Sequence, residues 1–145
     1  MRCDSPVPER PAEPREYDAE NTAAKGGIVD ELIGIHGEDI DIMDYRTVSK
    51  NTGAVTYQKM LVDDEETGMF VKLFLYPKGT ITATHRHNCS HGMYVLKGTL
   101  HTHRGDFGPG SFVWFAEGEV MSHGAADEDC LCLFITNKTF DITYL

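Results

Sequence analysis

The chain has no apolar run approaching the roughly 18 residues that a membrane-spanning helix requires, so no such helix is expected. It is short of basic residues: 13 Lys and Arg stand against 23 Asp and Glu, a formal net charge of −10 at pH 7. A surface of that sign repels phosphate backbones and anionic lipid, and neither nucleic acid nor a membrane surface is expected as a partner. Cysteine is sparse, and Cys3, Cys89, Cys130 and Cys132 do not have the spacing of a disulfide framework. The opening residues Met1 to Pro6 lack the apolar core of a secretion signal. Reduced thiols in a cytoplasm are therefore the expectation. Beyond residue 30 no segment sustains a long 3.6-residue apolar period, which argues against a helical fold.

What remains is ordinary globular material. Hydrophobic residues make up 41% of the 145 residues and charged residues 25%. A domain of this size buries roughly 68–70% of its unfolded surface, so neither a disulfide nor a metal is needed merely to fold.

Pro6, Pro8, Pro11 and Pro14 lie among charged residues near the start, and residues 1–25 read as an arm that is either untethered or packed on a partner subunit. A short helical turn over 16–24 is a weak alternative for part of it. Residues 26–145, from Gly26-Gly27 onward, read as one domain. Strands are predicted over 56–62, 70–76, 92–96, 99–103, 111–115, 130–136 and 140–145, separated by turns rich in Gly, Pro and Asp. Residues 30–42 suit a strand pair or an irregular stretch equally. Short strands at regular spacing indicate an all-β sandwich or small barrel.

Four of the seven histidines fall close together in this pattern: His85, His87, His91 and His123. His85 and His87 are two apart, so on a strand both imidazoles leave the same face. His91 follows a short corner and His123 comes from a later strand. Neutral imidazole nitrogens suit iron, zinc, nickel and copper, whereas magnesium and calcium prefer oxygen.

The spacing Gly79-x5-His85-x-His87-x3-His91-x6-Gly98 resembles the first motif of the cupin superfamily, with His91 where that family has Glu. Gly110-x5-Ala116-x-Gly118-x4-His123-x3-Asp127 is similar to its second motif more loosely. Ala replaces Pro, Asp replaces Asn, and two residues are added before the histidine. Residues 91–98 (HGMYVLKG) and 108–115 (GPGSFVWF) are similar to small single-domain cupins of the acetylacetone-cleaving and 2,4'-dihydroxyacetophenone dioxygenase type, and to the cupin domain of ChrR-type anti-sigma factors.

The resemblance implies a jelly-roll (double-stranded β-helix) barrel, often dimeric, holding one divalent metal through His85, His87 and His123, with His91 as a further candidate ligand. In the dioxygenase members it implies iron(II), dioxygen, and oxidative C–C cleavage of a small β-diketone or hydroxyketone. In the ChrR-type members it implies a zinc-holding sensor or binding module. A metal-assisted isomerase or hydrolase is a third reading.

Replacing Glu with His91 leaves the full charge on the cation, which favours an anionic chelate such as an enolate. Three histidines on one face of an octahedral ion leave three positions for a bidentate ligand and dioxygen. A fourth would leave two, so His91 is expected either to stay off the metal or to detach.

Met93 and Val95 share parity with His91 and are expected to line the pocket, with Phe74, Phe112 and Trp114 as further candidates. Cys89, between His87 and His91, is a candidate as well. Cys130 and Cys132 read as core thiols, His101 and His103 as surface residues. Glu117 and Glu119 are candidates to orient an imidazole. An imidazole site is expected to empty as pH falls through roughly 6.5.

Overall fold

The computed structural model describes residues 33–145. The expected arm (1–25), its helical turn and the expected domain start at residue 26 lie outside the described residues. Eleven strands are present among the described residues: β1 Arg46–Val48, β2 Val55–Asp63, β3 Phe70–Tyr76, β4 His85–His87, β5 His91–Lys97, β6 Leu100–Thr102, β7 Gly105–Phe107, β8 Phe112–Phe115, β9 His123–Gly124, β10 Cys130–Thr136 and β11 Ile142–Tyr144. They form a six-stranded sheet (β1-β2-β3-β10-β5-β8), a three-stranded sheet (β7-β6-β9) and a pair (β11-β4). The result is the expected all-β jelly roll.

Sequence patterning explains the large sheet. β10 alternates Cys130, Cys132, Phe134 and Thr136 inward, fully buried, with Leu131, Leu133 and Ile135 half-buried on the other face. β3 lies antiparallel to it with Phe74 opposite Cys132 and Lys72 opposite Phe134. Because side chains alternate, Phe70, Lys72, Phe74 and Tyr76 share the inner face. Lys72 and Thr136 aside, both strands are apolar on both sides, so they read as near-continuous hydrophobic runs, and their ends match the predicted 70–76 and 130–136.

Other segments depart from the reading. The glycine-dense stretch after His103 was expected to be loop, yet Gly105–Phe107 pairs with β6, Leu100 opposite Phe107. Ladder bonds run through the backbone, so Gly and Asp did not prevent the hairpin. Residues 37–39 and 42–45 form two short 3₁₀ turns, not a strand pair. Asp41 settles the second by accepting the Met43 N–H on Oδ1 at 2.9 Å.

The core joins Met93, Val95, Leu100, Phe115, Met121, Cys130, Cys132 and Phe134, contributed by both the large sheet and the smaller ones. Gly98 turns the chain between β5 and β6 with φ +76°, and a Cβ there would lie within 2.0 Å of the Asp129 carbonyl oxygen. Only glycine fits that corner.

Candidate metal centre

β4 carries His85 and His87 inward and Arg86 outward. The strand is clamped on both edges. On one side β11 pairs with it, Tyr144 opposite His85 and Ile142 opposite His87. On the other, His85 and Met121 exchange backbone bonds of 2.9 and 2.8 Å, and the Gly118 N–H donates to the His87 carbonyl at 2.9 Å. The two motifs, separate in sequence, thus brace each other. β9 then delivers His123.

One nitrogen from each of His85, His87 and His123 lies within 4.8 Å of the others. The His85 ring stands 4.7 Å from that of His87 and 5.1 Å from that of His123, at interplanar angles of 74° and 80°. The rings thus meet edge to face around the space their nitrogens share.

The opposite nitrogen of each ring is already engaged. His85 Nδ1 lies 2.7 Å from the Ala83 carbonyl oxygen, and His87 Nδ1 lies 2.9 Å from that of Asp141. A carbonyl only accepts, so both rings carry their proton on Nδ1 and present Nε2 as a bare lone pair. His123 Nδ1 meets the Tyr76 hydroxyl at 3.0 Å. His85 Nε2 and His123 Nε2 are buried with no hydrogen-bond partner among the described residues. Buried polar nitrogens left unsatisfied are costly, and a divalent cation at the convergence point would satisfy them together, His123 then carrying its proton on Nδ1.

The rings are also held neutral, the state that binds metal. Burial lowers the pKa of His85. It takes His87 down to about 4 and, with the neighbouring imidazoles assisting, His91 to about 3. Burial followed by repulsion from the other histidines puts His123 well below its ordinary value.

His91 is differently placed. Its ring is sandwiched between Phe134 (4.8 Å, 5°) and Phe115 (4.7 Å, 16°). It stands 4.8 Å from the His87 ring and 5.8 Å from that of His123, outside the set of three converging nitrogens. Neither of its buried ring nitrogens has a hydrogen-bond partner among the described residues.

A cavity of about 450 Å³ opens over His85, His87 and His123. Phe70, Phe74, Tyr76, Phe134 and Phe140 give it an aromatic wall, and Thr47, Thr56, Gln58 and Lys72 a polar one. Of the residues expected to line a pocket, Phe74 is on the wall. Met93 and Val95 are not. They share parity with His91 as read, but β5 carries them into the sealed core beside Leu100 and Phe115.

Phe112 and Trp114 point outward, 54% and 52% exposed, because β8 turns its alternate face to the interior. Cys89 is buried off the cavity, and burial raises its thiol pKa. Cys130 and Cys132 are core thiols with sulfurs 3.5 Å apart. Glu117 pairs with Lys138 and Glu119 with Arg104, and neither bonds to a ring of the cluster. His101 pairs with Asp106 at the surface. Sequence reasoning missed Tyr76, Phe134, Phe140 and Lys72, although the parity that placed Phe74 extends to Tyr76 and Lys72.

The profile of the ChrR cupin-like domain matches residues 38–141. The chain belongs to the ChrR cupin-like family. Solved structures agree on the fold of this ChrR cupin-like chain. A cupin-like protein from Thermotoga maritima is 25% identical over 70% of this chain and 80% of its own, with a TM-score of 0.57. The polyketide cyclase RemF from Streptomyces resistomycificus is 19% identical, covering 79% of this chain and 86% of that one, with a TM-score of 0.64. The EutQ protein of Clostridium difficile is 18% identical over 73% and 86% of the two chains, with a TM-score of 0.57. No curated protein matches the ChrR cupin-like chain. Among its described residues no helix is long and apolar enough to cross a membrane.

Proposed function

We propose that this ChrR cupin-like chain is a metal-dependent dioxygenase that cleaves a C–C bond of a small β-diketone or hydroxyketone, with iron(II) held by His85, His87 and His123. The observation that carries the reading is the convergence of three neutral, partly unsatisfied imidazoles on the floor of an aromatic cavity. An all-imidazole set leaves the charge of a divalent ion undiminished, which suits an anionic enolate, and when bound the metal supplies Lewis-acid polarisation and redox chemistry with dioxygen.

The chain's own residues prepare the place. Ala83 and Asp141 fix two tautomers through their carbonyls, and Tyr76 steadies the third ring. Phe74, Phe134 and Phe140 exclude water and accept the apolar body of the ketone. His91, between two phenyl rings, stays off the metal and leaves coordination room.

The test is anaerobic reconstitution with iron(II) followed by oxygen uptake with a panel of β-diketones and hydroxyketones. Substrate-dependent uptake with two cleavage products supports the reading; no uptake across the panel overturns it. Family membership favours a second reading, a zinc-holding binding module without turnover. Tight zinc as purified, and no oxygen uptake after exchange for iron, would select that reading.

The outer face of the large sheet points to a homodimer. Tyr94, Leu96, Phe112 and Trp114 are 41–54% exposed on β5 and β8, next to the half-buried leucines of β10. The described cysteines are free, which fits a reducing cytoplasm.

A further inference from the structure

Lys72 is the one Lys or Arg on the cavity wall among the described residues. It sits mid-strand on β3, where its ammonium lies 4.3 Å over the Phe70 ring and 3.4 Å from Gln58 Oε1. Gln58 is itself oriented, since its Nε2 donates to Thr56 Oγ1 at 2.9 Å and so turns Oε1 toward the lysine. No carboxylate of the described residues pairs with Lys72. Burial lowers its pKa and nearby Asp63 only partly offsets this. A half-buried ammonium with donors to spare is costly without a counter-charge.

Its place along the strand matters. Lys72 and Tyr76 share a face four residues apart, about 13 Å between their Cα atoms at the usual rise per residue. Tyr76 touches His123, so it marks the imidazole end. Phe74 lies between them, its ring 5.8 Å from that of Phe134. The cavity therefore runs from a set of imidazoles, past an aromatic belt, to an ammonium flanked by Gln58 and Thr56.

Resting on the proposed chelation of a ketone at the imidazole end, we infer that Lys72 determines specificity for keto acids. In this assignment the chelating oxygens occupy the metal end, the carbon chain crosses the aromatic belt, and a terminal carboxylate meets the Lys72 ammonium. The carboxylate supplies the counter-charge that the wall lacks, and the belt explains why a wholly polar molecule is a poor guest.

The test measures binding, not turnover, on the zinc-loaded protein. The probes are 4,6-dioxoheptanoate and its homologues with one and two more methylenes before the carboxylate, each against the neutral diketone ending in methyl instead. Calorimetry should show at least one acid binding about tenfold or more tighter than its methyl partner, the scale of one charge-assisted hydrogen bond. Lys72→Met should bring that ratio to about one without weakening the methyl compounds, and Lys72→Arg should restore part of it.

Equal affinity for acid and methyl partners in the wild-type protein overturns the role of Lys72 while leaving the chelation reading intact. A preference that survives in Lys72→Met does the same. If zinc binds but none of the probes does, the chelation reading falls and the inference falls with it. The wild-type comparison decides the matter even if a variant fails to fold.

Discussion

The Tyr76 hydroxyl lies 3.0 Å from His123 Nδ1, and both residues are buried. Burial raises the phenol's pKa well above its ordinary value, so the hydroxyl stays protonated. With a cation on Nε2, the ring's proton sits on Nδ1 and the phenol oxygen accepts it, which fixes the ring plane and strengthens the donor. Tyr76→Phe keeps the packing and removes that acceptor. Metal affinity should fall about 10–100-fold in a chelator competition, with little change in fold. Unchanged affinity would show that the hydroxyl does not orient His123.

His91 offers a contrast. Its two ring nitrogens are buried between Phe115 and Phe134 without partners among the described residues. His91→Leu removes that unsatisfied polarity, so thermal stability should hold or rise. Stoichiometric metal binding should persist, whereas His87→Leu should abolish it. Equal loss of metal in the two variants, read by elemental analysis, would make His91 a ligand.

Acid should act on the metal-free protein through these rings. Folded His87 has a pKa of about 4 and His91 about 3, both lowered chiefly by burial. An unfolded histidine titrates near 6.5. As pH falls below about 6.5 the unfolded chain gains protons that the folded chain refuses, so stability declines until the folded rings protonate near 4 and 3. Above about pH 7 both states are neutral and these groups contribute no slope. The melting temperature should be level above about pH 7 and fall between roughly pH 6.5 and 5, a window in which most carboxylates are still ionised. A level profile through that window would contradict the burial. By the same reasoning, protons compete for the lone pairs at lower pH than free imidazole would suggest, and the site should retain metal below the 6.5 expected from sequence.

Two motif glycines should respond unequally to alanine. Gly79 has φ +80° and a Cβ there would meet none of the described residues within 4 Å, so Gly79→Ala should cost only backbone strain of about 1–3 kcal/mol. At Gly98 the same strain is joined by a clash with the Asp129 carbonyl. Gly98→Ala should therefore be clearly the more destabilising of the pair in denaturant unfolding.

The strands plainest in the sequence were two whose residues pack on both faces. β3 and β10 announced themselves as apolar runs, since each contacts neighbouring strands and a core. β7 and β9 did not, because two or three residues held mainly by backbone bonds leave little side-chain pattern. At the site, His85, His87 and His123 were legible from spacing. The aromatic wall was not, because parity identifies a face without saying what lies opposite it. Met93 and Val95 illustrate this: the face was right, but beyond His91 it is filled by Leu100, Met121 and Phe115.

Ala83 and Asp141 hold their histidines through main-chain oxygens, which no point substitution at those positions deletes. Tyr76 braces the third ring with a side chain. Two corners of the cage are thus insulated from mutational drift and one is adjustable. Exchanging that single phenol is the economical route to retuning the acidity of an ion held there without rebuilding the barrel.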